Sequence, residues 1–165
     1  MNAARVNFEA DLFKAKTGEA IAADYLTSAG WQINDISNDA RYFHTGIDFF
    51  IKKDDDIFSL DIKFDSLISK TGNFCLENIN YTTGQKGWLK YSQADFIWVV
   101  AKDTQDIFIF CLKDMREFVK NNTCRKAIVK DKTTLGWNEW ETILVNINEY
   151  SSAYPVQVIQ TKKTN

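Results

Sequence analysis

Two unbroken apolar runs set the strongest limit on how this chain can fold: residues 96–101 (FIWVVA) and 107–112 (IFIFCL). Each has the length of a strand, and neither offers a polar side chain to water. A strand of alternating polarity can leave one face wet, whereas a continuous apolar run belongs in a sheet covered on both faces. The chain has 165 residues, 45% of them hydrophobic, which suffices for one domain with a substantial core and is short for two. Residues 1–165 therefore read as a single domain, with no internal repeat, linker or boundary.

Around these runs the pattern predicts a helix over 7–29, rich in Ala, Glu, Lys and Leu and stopped by Gly30. Strands are predicted over 31–36, 46–52 and 57–65, the last two forming a hairpin about the KDDD turn. A further strand covers 73–80, and the segment TTGQKGWLKYSQAD reads as a short helix or ordered loop. Beyond the apolar runs come a short helix over 113–120, strands over 126–130 and 141–147, a helical turn over 149–153, and an extended piece from Pro155 into a basic tail, TKKTN. This order predicts an α/β (α+β) fold, a mixed central sheet flanked by helices.

Composition excludes several classes. No apolar run approaches the roughly 20 residues that cross a bilayer, and the first residues, MNAARVNFEADLFKAK, lack the apolar core of a secretory signal. A cytoplasmic protein with no membrane partner is expected. Cys75, Cys111 and Cys124 are odd in number and widely spaced, which suits reduced thiols. No CxxC pair exists, and the single histidine, His44, excludes a site of two imidazoles. His44 itself, in YFHTG, reads as a loop residue.

Three placements of charge need a reason. On a wheel at about 100° per residue, Phe8, Leu12, Ala15, Ala22 and Leu26 form one stripe with Glu19 in its middle. A carboxylate there requires a cation or a shifted pKa, and either a core-edge salt bridge or a functional site would supply it. Asp48 interrupts an apolar run in GIDFFIKK, as a turn or cap residue beside Gly46 or as a functional acid. Asp61 and Lys63, in SLDIKFDS, alternate with Leu60, Ile62 and Phe64, so both lie on the polar face of one strand, beside the strand that carries Asp48. That face is either solvated or part of a site. If the groups converge, carboxylates of this kind hold a hard cation such as Mg²⁺, and a nearby ammonium orients water or offsets charge on a phosphate.

In these residues the chain resembles the PD-(D/E)xK nuclease superfamily, in the compact form of phage-type and archaeal Holliday junction resolvases. The resemblance covers about residues 7–112, with 113–165 as a C-terminal elaboration. Glu19 in TGEAIAADYL matches the family's helix glutamate, Asp48 in TGIDFFI the first motif with Ile47 in place of proline, and Asp61 and Lys63 in LDIKFD the (D/E)xK motif.

The resemblance implies a restriction-endonuclease-like core in αβββαβ order and an Mg²⁺- or Mn²⁺-dependent endonuclease acting on duplex or branched DNA, including Holliday junctions. Asp48 and Asp61 would hold the metal, with Glu19 as a further or water-mediated ligand and the Ile62 carbonyl completing the coordination, and Lys63 would orient the attacking water. Lys70, Gln85 and Lys86 are candidate substrate contacts, with Tyr91 nearby, and Lys52, Lys53 and Lys90 are expected near the same face. A homodimer and a phage or mobile-element origin are suggested by the resemblance alone. The net charge of -2 and pI of 5.4 depart from the basic character usual in a DNA binder. They keep open a non-catalytic protein of the same fold that binds DNA or a protein partner.

Overall fold

The computed structural model describes residues 3–133 and 136–161, with side chains from residue 12 onward except 131–136. In chain order the elements are α1 (Ala3–Ser28), β1 (Gln32–Asp35), β2 (Phe49–Lys53), β3 (Asp56–Asp65), α2 (Ile68–Thr71), β4 (Asn73–Asn80) and α3 (Trp88–Tyr91). They continue with β5 (Phe96–Ala101), β6 (Ile107–Cys111), α4 (Leu112–Asn121), β7 (Arg125–Thr133), β8 (Gly136–Asn146), α5 (Ile147–Ser151) and β9 (Gln157–Ile159).

The expected mixed sheet is present, with strand order β1-β2-β3-β5-β6-β9. Its β3 and β5 run parallel, and every other neighbouring pair is antiparallel. Alternation along β5 divides the interior in two. Trp98 and Val100 pack with Ala22, Leu26, Leu60 and Ile62 on the α1 side. Ile97, Val99 and Ala101 pack on the opposite side with Leu76, Phe110 and Tyr150. The unbroken run is thus covered on both faces, by a helix on one and by a second sheet with helices on the other.

The expected strand over 73–80 is present as β4 but belongs to that second sheet, ordered β4-β8-β7. Phe74 of β4 stacks on Phe110 of β6, with ring centroids 4.7 Å apart, so β4 meets the central sheet through side chains and pairs with β8 instead. The later strands also run longer than expected, β8 beginning at Gly136 and β7 ending at Thr133. Trp137 at the start of β8 is 59% exposed, so this end of the strand carries no burial signal.

Two further expectations change. The chain at 46–48 is not strand, because Gly46 stands in the left-handed region (φ 64) and β2 starts only at Phe49. The apolar stripe on α1 is half realised: Ala22 and Leu26 are fully buried, while Leu12 is 50% exposed and Ala15 is exposed. Among the described side chains, those of the later turns pack on the sheet. Phe8's side chain and the basic tail from residue 162 lie outside the described residues. Cys75, Cys111 and Cys124 are free thiols, and His44 is exposed in a turn. Among the described residues no helix is long and apolar enough to cross a membrane.

Candidate active site

The polar face of β3 points away from α1. Leu60, Ile62 and Phe64 pack on the helix side, so Asp61 and Lys63 face the opposite layer, beneath α3. Asp61 is 1% exposed and its Oδ1 lies 2.6 Å from Lys63 Nζ. The Lys63 ammonium also sits 5.4 Å from the centre of the Trp88 ring, an arrangement that attracts the cation to the aromatic face. Asp61 Oδ2 is buried and has no hydrogen-bond partner among the described residues.

Trp88 is held in place by a close backbone approach. Gly87 N–H donates to the Asn78 carbonyl at 2.9 Å, and a Cβ on Gly87 would stand 2.1 Å from the Glu77 carbonyl oxygen. No side chain fits between α3 and β4 there. The sequence GQKGWLKYS therefore delivers Trp88, Tyr91 and Ser92 to the polar face of β3.

Asp48 occupies a gap in the sheet. The β2–β3 ladder ends with Phe49 opposite Leu60, after which Asp48 N–H donates to the Leu60 carbonyl at 2.8 Å. Ile62 N–H has no strand partner left on that side and donates to Asp48 Oδ2 at 2.7 Å. Because the N–H and C=O of one strand residue point the same way, the Ile62 carbonyl is directed toward the same gap. An acid here completes the ladder, which accounts for a poor strand former at this position.

Glu19 does not join Asp61. It lies on α1, across the sheet from the polar face of β3, and its Oε2 accepts from Lys16 Nζ at 2.6 Å. Lys16 also donates to Ser37 Oγ at 2.9 Å. The core-edge salt bridge considered from sequence is the arrangement found. Glu19 is nevertheless near enough to Asp48 to disfavour its charged form. Among the described residues no three His, Cys, Asp or Glu side chains form a metal-binding group, so the expected trio of carboxylates is reduced to Asp48 and Asp61.

The electrostatics follow from burial. Burial and then the Asp61 charge push the Asp48 carboxyl up to about 6. Burial likewise pushes Asp61 up, with Lys63 opposing. The Ser92 hydroxyl also favours ionised Asp61, but it is placed to donate to the Gly46 carbonyl at 3.3 Å and leaves Oδ2 without a donor. Burial pulls the Lys63 ammonium down, and Asp61 and Asp48 more than reverse this, so its pKa is raised. Lys63 is therefore a cation at neutral pH. Tyr91 feels the whole group: burial raises its phenol, Lys63 opposes, and Asp61, Glu77 and Asp48 add to the rise.

A cleft of about 490 Å³ opens beside Lys63, lined by Ile62, Phe64, Lys14, Ala15, Ser66 and Lys102. Lys14 and Lys102 were not singled out from sequence; neither lies in a motif, and only the fold brings them to β3. The same holds for Trp88 and Ser92.

The other lysines scatter. Lys52 and Lys53 lie at the hairpin turn, roughly 13 Å or more along β2 from Asp48, and Lys53 Nζ donates to the Ala29 carbonyl at 2.8 Å, so their expected place at the active face is corrected. Lys70 is exposed on α2 near Asp103, whose carboxyl is held low first by the Ser69 hydroxyl and further by Lys70. Gln85 is exposed and its carbonyl accepts from Asn80 N–H at 2.8 Å. Lys86 bridges to Ile79 of β4.

What the site offers a hard divalent cation is Asp61 Oδ2, the Asp48 carboxylate and the Ile62 carbonyl. Small hard cations take oxygen ligands, and Mg²⁺ often uses only one or two carboxylates and completes its shell with water and phosphate. The buried, donorless Asp61 Oδ2 is the kind of atom such an ion relieves. The donor set fits.

Fold and site together define a mixed α+β protein with a buried carboxylate–lysine centre on β3, where β2 and β3 diverge within the central sheet. No protein-family model matches the chain, and no curated protein matches its sequence. Among solved structures, a bacterial homing endonuclease is similar to it at 15% identity and a TM-score of 0.43, over 61% of this chain and 64% of that one. The chain thus spans less than two thirds of that enzyme.

Proposed function

We infer that the protein is a metal-dependent DNA endonuclease hydrolysing phosphodiester bonds, with Asp48 and Asp61 as the metal-binding pair. The observation that carries this reading is the Asp61 carboxylate, which is buried, bonded to Lys63 through one oxygen, and without a hydrogen-bond partner among the described residues on the other. Asp48, Asp61 and the Ile62 carbonyl would hold Mg²⁺ or Mn²⁺, which supplies activation of water and neutralisation of phosphate charge when bound. Lys63 carries three N–H donors, of which one goes to Asp61. The others are free to orient an attacking water and to offset charge developing on a phosphate oxygen. As a raised-pKa ammonium it acts as a donor, not as a base. Lys14 and Lys102 line the cleft where an anionic backbone would enter. Glu19 acts through Asp48, at one remove from the metal. Branched DNA of the four-way type is the finer proposal, and it rests on the resemblance to junction resolvases, as does a homodimer.

The test is a panel of labelled linear duplex, single-stranded and four-way-junction DNAs incubated with Mg²⁺ or Mn²⁺. Cleavage by wild type, abolished in Asp61→Asn and Lys63→Ala, is the expected result; equal cleavage by Asp61→Asn overturns the assignment. A second reading, a non-catalytic binder of DNA or a protein, is favoured by the closed Lys63–Asp61 pair, which already satisfies one of the two oxygens. Calorimetric titration with Mn²⁺ separates the two, since the second reading requires no binding to the folded protein.

A further inference from the structure

On the far side of α3 from Asp61 lies a groove of about 360 Å³ between α3, α4 and the second sheet. Its rim carries Lys86, Lys90, Arg116 and Lys120, its floor includes Leu89 and Ile143, and no acid lines it. None of the four cations forms an ion pair with a carboxylate among the described residues. Arg116 uses its guanidinium on backbone instead, Nε to the Leu89 carbonyl at 2.8 Å and Nη2 to the Ser92 carbonyl at 2.6 Å. It ties α4 to α3 while its charge stays uncompensated.

Charge is sorted along α4. Arg116 and Lys120 are four apart and so share the groove face, while Asp114 and Glu117 act on Tyr154 on another face. In a chain of net charge -2, such sorting gathers positive charge where the average conceals it. The groove and the site flank the same helix, α3. The single turn of α3 places Trp88 against Lys63 and Lys90 on the groove, a length of about 6 Å, while phosphates on one DNA strand recur about every 3.4 Å of axis.

We propose that the groove between α3 and α4 binds the phosphate backbone of duplex DNA, with Lys86, Lys90, Arg116 and Lys120 contacting phosphates beside the bond that lies in the active site. The proposal rests on the nuclease reading for its register and on the groove's own charge for its ligand. Lysines serve such contacts as mobile point charges, giving affinity without sequence preference.

The experiment measures binding of a fluorescent 30-base-pair duplex by anisotropy, in EDTA and over a series of salt concentrations. Wild type, the triple variant Lys86→Glu, Lys90→Glu, Lys120→Glu, and Asp61→Asn are compared, with thermal melts to establish that each is folded. Arg116 is left intact because it joins two helices. The triple variant is expected to bind at least about 10-fold more weakly and to lose about two to three from the slope of log affinity against log salt, near 0.9 for each phosphate contact. A folded triple variant with the wild-type affinity and slope overturns the groove. Displacement of the duplex by poly-glutamate at equal charge concentration also overturns it, since the surface would then suit an acidic protein. Loss of binding in the folded triple variant supports the groove, even if the DNA panel shows no cleavage. Cleavage by wild type with unchanged binding by the triple variant leaves the nuclease reading standing and removes this one.

Discussion

The Asp48 carboxylate accepts the Ile62 backbone N–H at 2.7 Å, doing for Ile62 what β2 would do if the ladder continued past Phe49. One side chain thereby serves the fold and the site together. The arrangement fixes an acid at the point where the strands diverge, with the Ile62 carbonyl beside it and Asp61 on the neighbouring strand.

The raised pKa of Asp48 makes a pH signature. Its folded value of about 6 lies above the ordinary 3.8. Stability from this group is therefore present below about pH 4 and is lost as pH rises through 6. The full difference corresponds to about 3 kcal/mol. Asp48→Asn keeps an acceptor for Ile62 N–H, so in EDTA it should be more stable than wild type at pH 8, by up to that amount. Below pH 4 the two should match. Denaturant melts across this range check it, and a constant difference at all pH values would contradict it. Metal binding should strengthen through the same window, since the cation displaces a proton.

Removing Lys63 leaves Asp61 buried beside no cation. Lys63→Met should destabilise the apoprotein by about 3 kcal/mol at neutral pH, the lower end for a broken buried pair because Lys63 keeps some exposure. Adding Asp61→Asn should recover most of that loss. Chemical denaturation of the two single variants and the double gives the coupling directly; additive losses would mean the pair is energetically slack.

Glu19 and Asp61 should separate in function. Glu19→Gln leaves both proposed metal ligands in place, so Mn²⁺ affinity measured by calorimetry should fall about 10-fold, as for a residue acting through a ligand. Asp61→Asn should eliminate binding. Equal losses in the two variants would place Glu19 on the metal.

Gly87→Ala should be costly out of proportion to one methyl group. The backbone at Gly87 is ordinary (φ -74), so conformation is no obstacle, but the new Cβ would meet the Glu77 carbonyl at 2.1 Å. A loss of about 3 kcal/mol is expected, at the upper end for overpacking, together with a changed near-ultraviolet circular dichroism signal as Trp88 leaves Lys63. An unperturbed melt would show that α3 can lift from β4 freely.

Local pattern accounts for much of this protein. The alternation of SLDIKFDS set Asp61 and Lys63 on one face, the unbroken FIWVVA required cover on both sides, and GIDFFIKK marked Asp48 as out of place for a strand. These signals survive in sequence because side-chain direction in a strand repeats every two residues whatever lies above it. Which layer each face would meet depends on tertiary packing. α1 settled on the apolar face of β3, and so Glu19, at the centre of its own stripe, came to lie across the sheet from Asp61 and paired with Lys16. The second sheet, the Trp88 ring under Lys63, the cleft lysines 14 and 102, and the meeting of α3 with α4 all come from segments distant in the chain. Their contacts depend on how two covered faces close around one sheet, a choice made by the packing of whole layers and not by any single stretch of residues.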